Sequence, residues 1–326
     1  MTGDLRGWLD AASGTDEEFV DRAWRLVVRR APEEDGRELA LAKLRDGTLS
    51  RAGLLRELVA SEEFGRVHAL DGGLAFAAAE RSKPRGVKGP ARPRELHAPA
   101  GLDERSIEIP WCLARYDGER RVLDVGYAFA EPAYLAGLVA LGAEELVGVD
   151  LAQTDVSGLR GVVADVRSLP FDEAAFDLVL CVSTLEHVGR DNEVYDVDAD
   201  RAEDGDAAAL RELHRVLAKD GRLLVTVPTG VPENHGWQVQ RAPEEWVDVF
   251  ERAGFLVFED ELYVYGDGWR PATLDEARRA RYEGPGAGAV LLAELRPDSV
   301  GGKARLAVRD VRHRNEVRRS TVSRNE

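Results

Sequence analysis

Apolar residues recur at helical spacing through residues 15–60: Phe19, Val20, Ala23, Trp24 and Val27, then Leu39, Leu41, Ala42 and Leu44, then Leu54, Leu55, Leu58 and Val59. Each set predicts an amphipathic helix. Thr15-Asp16-Glu17-Glu18 is a capping box for the first, Pro32 and Asp35-Gly36 mark a turn, Asp46-Gly47 stops the second, and Ser50 caps the third. Residues 1–70 therefore read as a helical module. Residues 71–101 read as a linker, because the basic stretch 82–100 holds Pro84, Pro90, Pro93 and Pro99 without periodicity. Leu102–Tyr116 is a lead-in whose apolar members, Ile107, Ile109, Trp111 and Leu113, are interrupted by Pro110.

From 102 to 300 the pattern becomes an alternation of short apolar runs with helical stretches. Strands are expected near 121–125, 145–150, 160–164, 176–182, 222–228, 255–264 and 288–295, and helices near 131–141, 206–219 and 243–253. Gly221 is the expected terminator of the second of these helices; Pro243 suits a first helical position and Gly254 a stop. This alternation predicts an α/β fold with a doubly wound, mostly parallel seven-stranded sheet, Rossmann-like, behind a small all-helical domain. Residues 301–326, with eight Lys or Arg against three acids, form a basic tail.

The chemistry concentrates in Arg121–Leu151. Val122–Val125 is a strand that breaks at Gly126, a helix follows through Tyr134, Leu135 and Leu138, and Leu146–Val149 closes on Asp150. This is one βαβ unit, and a carboxylate at the tip of its second strand suits the two hydroxyls of a ribose. A nucleotide-type cofactor site is the expectation.

Composition narrows the choice of partner. The chain has 326 residues, enough for about two domains of ~150 residues each. A net charge of -16 argues against nucleic acid, whose phosphates need clustered cations. Cys112 and Cys181 sit in apolar runs without metal-type spacing and read as buried thiols. The charged residues 1–30 do not resemble a signal peptide, and no run has the ~20 apolar residues of a membrane span, so a cytoplasmic location is expected. The acidic run 196–206 reads as a solvated loop, and no metal is assigned.

Segment 121–228 resembles a class I S-adenosylmethionine-dependent methyltransferase of the small-molecule type. Val122–Gly126 matches the first motif, Gly148-Val149-Asp150-Leu151 the second, and Ala164-Asp165-Val166-Arg167 with Leu169-Pro170-Phe171 the third. Phe176–Val179 through Thr184–Val188, then Leu213–Leu217 and Gly221–Leu224, complete the set. The resemblance implies S-adenosylmethionine as cofactor, with Asp150 on the ribose and Asp165 on the adenine amine. Turn amides after Gly126 would meet the carboxylate, and Asp124 would organise the amino-acid end. Tyr127, Ala128, Leu151, Val166 and Ser183 fall at the same strand ends and join the expected cofactor set. Residues 1–66 resemble a small helical domain found beside glycan-modifying enzymes, on Arg29–Pro32 with Asp35-Gly36, Leu44–Thr48 with Ser50-Arg51, and Ser61–Phe64. It implies a protein-binding or scaffolding module.

His187 is the candidate catalytic residue, a base for a substrate hydroxyl. Trp111, Asn192, Tyr195, His235 and Trp237 are candidate substrate contacts. The expected activity is methyl transfer to a small-molecule or glycan-linked acceptor, at oxygen. The turn departs from the family's Gly-x-Gly-x-Gly: Ala128 and Ala130 replace two glycines, and Tyr127, Phe129 and Glu131 add bulk and charge. A degenerate, non-catalytic scaffold is therefore an alternative. A nicotinamide-dependent oxidoreductase is a second, although its G-x-G-x-x-G is missing.

Overall fold

The computed structural model describes residues 14–61, 63, 64, 68, 70–82, 96–193, 200–282 and 286–298, which fall into two units, 1–72 and 73–326. Tyr195, the basic tail and most of the proline-rich stretch lie outside the described residues.

In the first unit, α1 (Asp16–Val27), α2 (Glu34–Arg45) and α3 (Arg51–Val59) close over Phe19, Val20, Ala23, Leu41, Leu54 and Leu58. The Thr15 hydroxyl accepts from the Glu18 amide while the Glu18 carboxylate accepts from the Thr15 amide, and Ser50 caps α3 through the Gly53 amide. Each cap supplies a partner to an amide that the first helical turn cannot satisfy.

The expected linker is partly helical: α4 spans Asp71–Arg81. A Cβ at Gly73 would stand 2.3 Å from Pro110 Cγ, so the helix passes close to that proline only because the position is glycine. The lead-in is also a helix, α5 (Arg105–Ala114), and it runs through Pro110. Every residue from Ser106 to Ala114 is buried, and that burial outweighs the ~3 kcal/mol of an interior proline.

The seven expected strands are all present: β2 (Arg121–Val125), β3 (Glu145–Asp150), β4 (Arg160–Val163), β5 (Phe176–Val182), β6 (Leu217–Pro228), β9 (Phe255–Tyr265) and β11 (Ala289–Pro297). Two short edge strands, β1 (Ala98–Pro99) and β10 (Gly268–Pro271), make a nine-stranded sheet in the order β1-β10-β9-β11-β6-β5-β2-β3-β4. From β6 to β4 all pairs are parallel, and β11 is antiparallel to both β6 and β9. A separate hairpin pairs β7 (Glu233–Asn234) with β8 (Val239–Gln240).

Helices α6 (Pro132–Val139), α7 (Gly205–Val216) and α8 (Pro243–Arg252) sit where expected, except that β6 begins at Leu217 instead of the helix running on to Gly221. Leu210 and Leu213 of α7 and Trp246 and Phe250 of α8 join Leu123, Val147, Val179 and Val225 in one apolar cluster. The connection reverses between β2 and β5: β3 and β4 lie on one side, β6 on the other. Such a switch point leaves a crevice at the carboxyl ends of the strands. Among the described residues, no helix is long and apolar enough to cross a membrane.

Candidate functional site

The crevice is open. Its walls are Val125 and Gly126 at the end of β2, Asp150 and Leu151 at the end of β3, Asp165 and Val166 beyond β4, and Ser183, Thr184 and His187 after β5. Gly126 has φ +90°, and a Cβ there would lie 2.3 Å from Thr184 Oγ1, so glycine is required on both counts. Thr184 in turn donates to the Val125 and Val182 carbonyls, which fixes the neighbouring turn.

The two bulky residues of the turn do not block this space. Tyr127 is fully buried, with its ring packed where Gly148 and Gly161 lack side chains; added Cβ atoms would fall 2.6 Å from Cγ and 2.3 Å from the hydroxyl. Tyr127, expected to meet the cofactor, is therefore a core residue. Phe129 stands at the cleft wall, 53% exposed. Ala128 does not line the cleft either: its amide donates to Asp150 Oδ2 at 2.9 Å and its carbonyl accepts from the Thr154 hydroxyl. Its part is to aim the aspartate.

Asp150 accepts three amides, from Ala128, Leu151 and Ala152. Burial nevertheless raises its pKa, the amides acting against it. Asp165 receives the Arg167 guanidinium on both oxygens, and that pairing outweighs burial and lowers its pKa. Ser183 has φ +43° and donates to Glu108 Oε2 at 2.8 Å.

Asp124 lies beneath the cleft and not on its wall. It is 1% exposed and accepts from the Tyr134 hydroxyl at 2.5 Å, and Tyr134 is the residue that reaches the lining. Burial pushes the Asp124 carboxyl up to about 7. Its unfolded value is about 3.9, so between these values the folded chain holds a proton that the unfolded chain lacks, and stability falls as pH rises. Asp124→Asn keeps an acceptor for Tyr134 and is expected to stabilise by about 1–2 kcal/mol at pH 8, because the amide retains its own burial cost. The gain should vanish near pH 4 in urea melts; a gain independent of pH would exclude the carboxyl as its source.

His187 lines the cleft, and its Nδ1 lies 3.0 Å from the Trp237 carbonyl. A carbonyl only accepts, so Nδ1 carries the proton and Nε2 the lone pair, 3.8 Å from Glu186 Oε1. Burial lowers the imidazole pKa to about 4, so the ring is neutral at neutral pH. Asn192 also lines the cleft. Three other expected substrate contacts do not. Trp111 is fully buried beneath the Arg115 guanidinium, 3.7 Å from the ring centroid. Trp237 stacks on the His187 ring with centroids 5.2 Å apart, and His235 tilts against Tyr282 at 4.8 Å.

Arg105, Ile109, Glu131 and Arg167 also line the cleft but carried no sequence signal as ligands. Arg105 sits in the segment read as a lead-in, and nothing in a linear pattern shows that a helix from there covers the switch point. Cys112 and Cys181 are buried free thiols. Among the described residues, no group of three or more His, Cys, Asp or Glu is placed to hold a metal.

These residues suit S-adenosylmethionine: two carboxylates at adjacent strand ends, a cradle that a single Cβ would fill, and a clear entrance. Residues 123–225 match the family described as "Methyltransferase domain". An uncharacterized protein of Methanocaldococcus jannaschii is 35% identical over 68 residues, 21% of this chain, and the chain spans less than a quarter (23%) of that relative. Among solved structures, the [4+2]-cyclase SpnF is similar at 24% identity over 44% of this chain and 55% of that one, with a TM-score of 0.34. The Burkholderia thailandensis 1,6-didemethyltoxoflavin-N1-methyltransferase, solved with 1,6-didemethyltoxoflavin and S-adenosylhomocysteine, is similar at 16% identity over 82% and 92% of the two chains, with a TM-score of 0.41. Residues 123–225 thus match a methyltransferase domain, and the cofactor this match supports is S-adenosylmethionine.

Proposed function

We propose that this chain methylates an oxygen nucleophile on a small-molecule or glycan-linked acceptor, using S-adenosylmethionine. The observation that carries the reading is the unobstructed cleft over Gly126, with Asp150 and Asp165 on one wall and His187 on another. The bound cofactor supplies an electrophilic methyl group on a sulfonium. Asp150, aimed by three amides, keeps lone pairs for the ribose hydroxyls, and Asp165 shares its oxygens between Arg167 and the adenine amine. Transfer of this kind depends chiefly on in-line positioning.

His187 accepts the acceptor's proton at Nε2. A conjugate acid near pH 4 makes it a weak base, suited to a hydroxyl already acidified or losing its proton as charge develops. His187→Gln is expected to lower kcat by roughly tenfold to a hundredfold with S-adenosylhomocysteine affinity unchanged. The wild-type rate should show no histidine inflection between pH 5 and pH 8. An inflection in that range that disappears in the variant would contradict the buried, neutral imidazole.

The buried free thiols suit the reducing cytoplasm expected from the sequence. We assign the N-terminal helices a protein-docking role. Isothermal titration of the full chain with S-adenosylhomocysteine and with NADH tests the central reading. Binding of the first alone supports it, NADH alone would make the chain an oxidoreductase, and neither would make it a scaffold.

A further inference from the structure

Sheet order determines which way the cofactor lies. Asp150 closes β3 and Asp165 lies just beyond β4, so a ligand held there by sugar and base extends its other end towards β2 and β5. That end of the cleft is lined by Gly126, Ser183 and Thr184, with Arg105 entering from α5 and Glu131 from the start of α6.

Several amides of the turn expected to receive the cofactor's carboxylate already have partners. Gly126 donates to the Val149 carbonyl at 2.9 Å, Ala128 to Asp150 Oδ2 at 2.9 Å and Ala130 to the Tyr127 carbonyl at 3.2 Å. Glu131, at the N-cap of α6, adds a negative charge where the helix would otherwise attract an anion. A cation at the same end of the cleft is a second host for that anion.

Among the described residues, two guanidiniums line the cleft. Arg167 belongs to the β4 end and is held on both oxygens of Asp165. Arg105 donates from Nη1 to Glu104 Oε1 at 2.8 Å; among the described residues, its Nε and Nη2 meet no protein acceptor at hydrogen-bond distance. Its side chain is 34% exposed and so open to the cleft. Burial raises the Glu108 carboxyl to about 7 and lifts Glu186 well above the usual carboxylate range. The guanidinium is paired on its Nη1 side, with Glu104 and, at 3.9 Å, with Asp103 Oδ2, so what it offers an anion is the other edge of its fork.

We propose that Arg105 anchors the carboxylate of the cofactor's amino-acid tail, in the place that the turn amides take in the sequence expectation. The inference rests on the S-adenosylmethionine reading above. A guanidinium fork presents two parallel donors to a carboxylate, which no single lysine reproduces.

The test compares two ligands on the full chain by isothermal titration: S-adenosylhomocysteine, and 5′-methylthioadenosine, which keeps the adenosine and thioether but lacks the amino-acid carboxylate. Wild type is expected to prefer the first. Arg105→Gln should weaken S-adenosylhomocysteine by about tenfold or more and leave 5′-methylthioadenosine within about twofold, with Arg105→Lys in between. Retained 5′-methylthioadenosine affinity shows that the variant is folded with its adenosine end intact. An unchanged ratio of the two affinities, or an equal loss of both, overturns the anchor while leaving the cofactor assignment standing. Wild type that binds neither ligand overturns both.

Discussion

Tyr127→Ala is expected to lower folding stability by about 3–5 kcal/mol, the usual cost of deleting a fully buried aromatic side chain. The residue lies in the turn at the cleft, yet its ring fills the space left by two glycines, Gly148 on β3 and Gly161 on β4. Gly148→Ala alone is also expected to destabilise, since its Cβ would come within 2.6 Å of the ring. In the Tyr127→Ala background the same methyl occupies part of the vacated space. The double variant should therefore be more stable than the sum of the single costs predicts. Urea melts of the four proteins measure this coupling, and strictly additive costs would mean that ring and glycine do not share one packing site.

Asp150→Ala should weaken S-adenosylhomocysteine binding by about a hundredfold or more. The carboxylate offers two charge-assisted hydrogen bonds to ribose hydroxyls, each worth ~1.5–3 kcal/mol. It also accepts from the amides of Ala128, Leu151 and Ala152, so its removal frees the turn that shapes the cleft floor. Asp150→Asn separates the two roles: one amide face keeps an acceptor, while its NH2 opposes the backbone donors. Affinity between those of wild type and Asp150→Ala is expected. Wild-type affinity in the alanine variant, measured by titration, would remove Asp150 from the site.

Much of the molecule was legible before folding. Runs such as Val122–Val125 and Leu146–Val149 are short, apolar and bounded by glycine or acid, so their strand character is local and survives any tertiary context. Thr15 and Ser50 announced their helices through caps that depend on neighbours three residues away. The carboxylates Asp150 and Asp165 were equally legible, because parallel strands end on one edge of a sheet whatever their order.

Direction and depth were not legible. Tyr127, Ala128 and Asp124 lie within a few residues of Gly126 and read as ligands, yet adjacent residues in a turn point to opposite sides of the backbone. Two of these side chains went into the interior, Tyr127 against Gly148 and Gly161 and Asp124 against Tyr134. Trp111 read as a substrate contact, but a helix that runs through Pro110 turned it under Arg115. Arg105 reached the cleft for the same reason.

Strand identity, helix caps and the acids at strand ends depend on a few covalent neighbours, and those are written in the chain. Which side chain faces the cleft, and which carboxyl keeps its proton, depends on groups distant in sequence that only close packing brings together. The tertiary structure alone settled those.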